Sequence, residues 1–307
     1  MNEQQCAAQH FGWWMVNPQW ANAQASAYNA GNLPKVSAIH AEASGGVPVY
    51  AKGDNPDYVP PLYTKTPDGI AHIGLRGAMT KGASSFGGTS NIRVRKAMRT
   101  AEADGDVGGI MLAIDSPGGT VAGHKAMSDE IRRVAKAGVK PVHGYVEDAM
   151  HSAVLWAGVQ ANRLTAAPMA QVGSIGVMIA LHDYSEQFKE DGVKVNVIST
   201  GDHKGAFTPG TEITEEMLAT VQTRVDELNG FFVDAVKQGR GMTAKAVKAL
   251  ATGEDWMAAR AVELGLIDAV ETDDQAIEVL RREIKAGQRR RDQEARRLNA
   301  RIRAASL

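Results

Sequence analysis

Three short turns built from small residues are where this chain can do chemistry. The first, Asp115-Ser116-Pro117-Gly118-Gly119-Thr120, follows the apolar run GGIMLAI. Paired glycines bring backbone N–H groups close to a ligand because no Cβ intervenes, although an ordinary strand-to-helix turn uses the same residues. The second, Glu147-Asp148-Ala149-Met150-His151-Ser152-Ala153, joins a strand to a helix that begins near Ser152. A serine there reads first as an N-cap, and the same position favours negative charge and so also suits an attacking alkoxide. The third, Val172-Gly173-Ser174-Ile175-Gly176-Val177, is followed by a loop over 201–209 that sets Lys204 among small and apolar residues. A lysine in such a loop is a solvated surface charge unless it is desolvated, in which case it becomes a base.

Other chemistries are excluded by inspection. The sequence has no G-x-x-x-x-G-K-[ST] phosphate loop, no H-E-x-x-H zinc helix and no G-x-S-x-G elbow. Its eight histidines are scattered without metal-ligand spacing, and one cysteine, Cys6, permits neither a disulfide framework nor a multi-cysteine zinc site. No metal and no cofactor is expected.

The elements that must position these turns are read from hydrophobic period. Strands are expected over Ile70–Leu75, Val107–Ile114, Val142–Val146, Arg163–Ala166, Gly176–Leu181 and Lys194–Ile198. Helices are expected over Ser90–Ala103, His124–Ala137, Ser152–Ala161, Glu215–Gln238, Thr243–Ala251 and Ala258–Leu264. Strands alternating with helices imply an α/β fold with parallel units in layers.

Composition supports one sizeable core: 307 residues, 44% hydrophobic and 22% charged. The stretch 1–65 holds Trp13, Trp14, Trp20 and prolines at 18, 34, 48, 56, 60 and 61, with one short helix expected over Asn17–Ala30; it reads as an arm packing on the main domain or on a neighbour. Residues 66–275 form the expected main domain, and 276–307 a basic helix or tail. From Arg281 onward there are ten Lys/Arg against three Asp/Glu, whereas the rest of the chain carries 24 against 32. The basic end suits an acidic partner or nucleic acid, or simply a solvated face. Overall net charge is −1, which excludes a general nucleic-acid binder. No apolar run approaches the ~20 residues that span a bilayer, and the start lacks a basic-then-apolar leader, so a cytoplasmic protein is expected.

The ordered set IDSPGG, then a serine at a strand–helix turn, then VGSIGV, then HKGAFTP resembles the S49 family of serine peptidases, the signal peptide peptidase A-like enzymes and their phage relatives. The resemblance runs from Ile70 to Val270 and includes GEDWMAARAVELGLIDAV. It implies a crotonase/Clp protease-like fold of layered parallel sheets with flanking helices. Carried over by position, it makes Ser152 the nucleophile and Lys204 its general base. Backbone N–H groups of Gly118, Gly119 and Ala153 become the oxyanion hole, and Ser174 orients the lysine. Where the family commonly has glycines after the nucleophile, this chain has Ala153-Val154. A serine hydroxyl is a weak nucleophile until a base takes its proton, and an ordinary lysine is protonated at neutral pH. Burial among neighbours such as Ala206, Phe207 and Val177 disfavours the ammonium form.

A Ser-His-Asp triad of the Clp protease type would expect a histidine near position 177, which is Val177; His182 is the nearest, and His151 and His203 read as wall residues. The opening FGWWMVNPQWANAQASAYNAG is similar to phage members of the family, which points to a prohead protease acting on capsid and scaffold proteins as a homo-oligomer. A cytoplasmic signal-peptide-peptidase-like enzyme and a catalytically silent structural protein of the same fold are the alternatives.

Overall fold

The computed structural model describes residues 14–16, 46–55, 59–82, 88–201 and 203–305, so the helix expected over Asn17–Ala30 lies outside the described residues. Three short strands come first: β1 (Trp14–Val16), β2 (Val47–Val49) and β3 (Tyr63–Lys65). Next are β4 (Ile70–Arg76), β5 (Met79–Thr80), β6 (Thr89–Ser90) and α1 (Asn91–Ala103). The centre follows with β7 (Gly109–Ser116), β8 (Gly118–Thr120), α2 (His124–Ala137), β9 (Val142–His151) and α3 (Ala153–Gly158). Beyond it lie β10 (Arg163–Ala166), β11 (Gln171–Gly173), α4 (Ser185–Glu190), α5 (Glu215–Arg240) and α6 (Ala244–Leu250). The chain closes with β12 (Asp255–Met257), α7 (Ala258–Glu263), β13 (Ala269–Val270) and α8 (Asp273–Ala305).

The large sheet runs β12-β11-β9-β7-β4-β3-β2, with β10 paired to β9 and to β13. Its centre is parallel: β4 pairs with β7 from Ile70 opposite Gly109 onward, and β7 with β9 from Ile110 opposite Val142. Parallel strands covered on both faces read as continuous apolar runs, and the period of two decides which layer each residue enters. Ile110, Leu112 and Ile114 enter the core that holds Val94 and Met98 of α1 and Met127 and Ile131 of α2. Met111 points the other way, into a cluster with Tyr145 and with Ala276, Leu280 and Ile284 of α8. The glycines that open this run let α8 approach: a Cβ on Gly109 would lie 2.8 Å from Ile284 Cδ1.

The helices form where their periodicity placed them. Ser90 caps α1 by accepting from the Arg93 N–H at 3.4 Å, and Val94, Ala97, Met98 and Ala101 make its buried stripe. α2 stops at Gly138, which takes φ 67°.

Two expectations fail. Gly176–Leu181 and Lys194–Ile198 are irregular rather than strands. The reason is topological: the outer edge of β11 is already taken by antiparallel β12, so these segments do not pair with β11. β9, in contrast, continues five residues past the expected Val146, because its far end pairs with β11. A second, small sheet has the order β1-β8-β5-β6.

Candidate active site

The site is built where β7 and β9 end side by side. Ser116, the last residue of β7, lies opposite Met150, two residues before Ser152. On the other side of β9, Gly173 of β11 lies opposite His151, and the Ser152 N–H donates to the Gly173 carbonyl at 2.9 Å. The chain then turns sharply into α3, whose first hydrogen bonds run from the Leu155 and Trp156 N–H groups to the Ser152 carbonyl at 3.0 and 3.2 Å. Ala153 through Gly158 are all buried, so the helix is fixed by packing and not by its length.

Ser152 itself is 1% exposed and holds φ 53° and ψ −118°, a conformation costly for any residue with a Cβ. It stands in the N-cap position, yet its side chain makes no capping bond; its hydroxyl instead donates to the Gly176 carbonyl at 3.4 Å. The capping explanation for this serine is therefore overturned.

Among the described residues, three non-glycine residues have φ in the left-handed region: Ser152 (53°), Ser174 (55°) and Phe207 (65°). One falls in the serine turn, one in GSIGV, and one beside Lys204.

The glycines of IDSPGG have separate reasons. Gly118 takes φ 104°, and a Cβ on Gly119 would sit 1.9 Å from the Met79 carbonyl oxygen of β5. Ser116 Oγ braces the turn, donating to the Gly77 carbonyl at 2.7 Å and accepting from the Gly118 N–H at 3.2 Å. The Gly118 N–H is thus already engaged, while α3 packs against β8 and sets Ala153 beside this turn. Ser174 is buried and donates its N–H to the Glu254 carbonyl at 2.6 Å.

Lys204 lies elsewhere in character. It is exposed, in a turn closed by the Ala206 N–H donating to the His203 carbonyl at 3.2 Å. Among the described residues no hydrogen bond joins it to Ser152. The fold thus gathers Ser152, Ala153, Gly118, Gly119 and Ser174, and leaves Lys204 on the irregular segment that replaces the expected strands.

Reasoning from sequence missed the ionisable groups around the serine. His151 is buried, with Nε2 3.8 Å from Asp255 Oδ2, and burial holds its pKa below the ordinary histidine value. Burial, then Asp148, pushes the Asp115 carboxyl up, and burial does the same to Glu147, which pairs with Arg76. The adjacent Glu147-Asp148 was a visible signal, whereas Asp255 reaches the site only through the β11–β12 pairing. His182 and His203 are exposed. Among the described residues no group of three or more His, Cys, Asp or Glu is placed to hold a metal ion, and no helix is long and apolar enough to cross a membrane.

A layered α/β domain with a strained serine at a strand–helix junction, flanked by glycine turns, defines a class of hydrolase-like scaffolds. The chain belongs to peptidase family S49, whose family model matches residues 134–287, and its fold is the crotonase/Clp protease-like one. It is 29% identical over 222 residues to capsid assembly protease C of Escherichia phage lambda, covering 70% of this chain and 49% of that protein. It is 29% identical over 220 residues to head-tail preconnector protein GP5 of Enterobacteria phage P21, covering 69% of this chain and 43% of that one. Protease 4 of Haemophilus influenzae is 25% identical over 250 residues, with 79% and 40% covered. The chain thus spans about half the length, or less, of these relatives.

Proposed function

We propose that the chain is a serine endopeptidase in which Ser152 attacks a peptide carbonyl and Lys204 takes its proton. The observation that carries this reading is the strain at Ser152: a buried, uncapped serine held at φ 53° where a strand turns into a helix. Such strain persists only where the surroundings over-determine it, and it concentrates at active sites. A sharp strand-to-helix turn is also how other hydrolases present a nucleophilic serine.

In this reading the Ser152 Oγ proton passes to Lys204 Nζ as the Oγ–carbon bond forms. The Ala153 N–H and, because the Gly118 N–H is held by Ser116, the Gly119 N–H of the glycine turn receive the developing oxyanion, where one donor is worth ~3–4 kcal/mol in other hydrolases. The lysine then returns the proton to the leaving amine, and water, deprotonated by the same lysine, cleaves the acyl-enzyme. Ser174 positions the lysine. Because Lys204 is exposed in the single chain, the desolvation that makes it a base comes from a neighbouring subunit seated over 177–213.

Polypeptides of a phage capsid and its scaffold are the proposed substrates, with the head or its host's cytoplasm as the place. The support is that a capsid assembly protease and a head-tail preconnector protein each align with 70% and 69% of the chain. The basic end of α8 is the surface proposed to meet acidic partners, nucleic acid among them.

A fluorophosphonate probe tests the chemistry. It is expected to label Ser152, and both labelling and casein hydrolysis should vanish in Ser152→Ala and in Lys204→Arg, because arginine keeps the charge but cannot give up its proton. An active Lys204→Arg enzyme would remove the lysine from the mechanism, and a wild-type chain that the probe never labels would remove the serine.

A further inference from the structure

The small sheet places a piece of the N-terminal arm against the glycine turn. β1 pairs antiparallel with β8, with Trp14 opposite Thr120, Met15 opposite Gly119 and Val16 opposite Gly118. A strand has only two edges. One edge of β8 is held by β5, with Met79 opposite Gly119, and the backbones are so close there that a Cβ on Gly119 would lie 1.9 Å from the Met79 oxygen. That edge cannot open to a ligand without breaking the turn. The other edge is the one that β1 occupies.

β8 itself lies next to the chemistry. β8 starts two residues after Ser116, which lies opposite Met150, and α3 packs against it immediately after Ser152. The antiparallel direction matters too. Val16 lies opposite Gly118, so β1 runs from the Thr120 end toward the Gly118 end of β8, the end nearer Ser116. Extended peptides commonly bind by adding a strand to an exposed sheet edge, with main-chain hydrogen bonds supplying affinity. A polypeptide that runs past Ser152 and pairs with β8 must use the edge that β1 holds.

We propose that β1 occupies the place of a substrate strand: the N-terminal arm adds its backbone to the open edge of β8 and competes there with an extended peptide. The proposal rests on reading Ser152 as the nucleophile and the Gly118–Gly119 turn as its oxyanion flank. With only three residues in its ladder, β1 is short enough to be displaced. The arm thereby keeps an unoccupied site closed and yields to a peptide that pairs over a longer stretch.

The test uses the full chain with Ser152→Ala, so that nothing is turned over, with and without Met15→Pro and Val16→Pro together. Successive N–H groups of a strand point to opposite edges, so one of the two prolines removes a donor that faces β8. A fluorescein-labelled peptide with the sequence of residues 11–20 is titrated and followed by anisotropy. If the arm holds the edge most of the time, the apparent dissociation constant is the intrinsic one divided by the small open fraction, and the proline form should bind about ten-fold more tightly. Hydrogen exchange at 118–120 should quicken in the proline form and slow again when the peptide is added, with exchange in β7 and β9 unchanged as the folding control. Equal affinity of the two forms, no binding to either, or exchange at 118–120 unmoved by the prolines would overturn the proposal. Neither readout depends on hydrolysis. A wild-type chain that a fluorophosphonate does not label would count against the nucleophile and leave the binding result standing.

Discussion

Ser152 holds a conformation that its own stability does not explain. A non-glycine residue in a sparsely populated φ/ψ region costs of order 1–3 kcal/mol, and the hydroxyl recovers little through a 3.4 Å contact with the Gly176 carbonyl. Glycine adopts positive φ freely but loses about 0.5–1 kcal/mol through its greater unfolded-state freedom. Ser152→Gly should therefore stabilise the fold by about 1 kcal/mol while abolishing labelling, and Ser152→Ala should leave stability nearly unchanged because the strain remains. Denaturant melts of the three chains check this, and Ala more stable than Gly would contradict it. His124 sits fully buried beneath the same helix, its ring 5.6 Å from that of Trp156, and burial holds its pKa down to about 4, offset only in part by the Ala153 backbone. A histidine whose folded value is depressed is protonated first in the unfolded chain. Its contribution is fully present above the ordinary value near 6.5 and is lost as pH falls from there toward about 4, by up to about 3 kcal/mol. The stability difference between wild type and His124→Asn should accordingly shrink between pH 7 and pH 4.5; a difference independent of pH would show that His124 does not titrate with folding.

α8 divides into two parts with different work. Ala276, Leu280 and Ile284 are buried against Met111 and Tyr145, whereas Leu298 and Ile302 are each 58% exposed. Leu280→Ala should cost about 2–5 kcal/mol, as a fully buried leucine does, while removing residues 288–307 should leave the melting temperature within error. A large loss on truncation would mean that the exposed end packs on something in the free protein. The long α5 follows from patterning, as do α1 and α2, with Ser90 capping the start of α1 and Gly138 and Gly241 closing α2 and α5, whereas the first half of α8 is hidden by its charge, which reads as a basic helix or tail. β8, β11 and β12 are three residues each, too short for a period of two to be read. The strands expected over 176–181 and 194–198 have suitable composition, but the edge of β11 just before them in the chain is taken by β12, a pairing that no local window carries. At the site, small residues mark the three turns, while the roles proposed for Ser152, Gly118 and Gly119 come from the family resemblance, since the turns alone read equally as a helix cap and an ordinary strand-to-helix turn. The backbone strain depends on ψ and on the Gly173 contact across the sheet, and the His151–Asp255 approach depends on a pairing made a hundred residues later in the chain.

In the whole molecule, the segment that carries Lys204 is the part least able to stand alone. Val193, Val197 and Ile198 are exposed, Ile198 at 99%, within a stretch whose regular structure among the described residues is α4 alone. Apolar side chains gathered on an irregular surface mark a contact with another macromolecule. The charge distribution favours a second copy: net charge is −1, so copies repel weakly, while ten of the 34 basic residues lie from Arg281 onward and can meet acidic surface of a neighbour. In the proposed mechanism, covering 177–213 would also supply the desolvation asked of Lys204. Association and activity should therefore rise together. Peptidase activity per chain should increase with protein concentration and fall as salt screens the charged contact. Ile198→Asp should sediment as a monomer with an unchanged melting temperature, because its side chain contributes nothing to the single-chain core. Its kcat/KM should drop at least about a hundred-fold, the scale of losing a general base. Analytical ultracentrifugation paired with casein hydrolysis decides the matter: an Ile198→Asp chain that is monomeric and fully active would show that Lys204 reaches its working state within one chain.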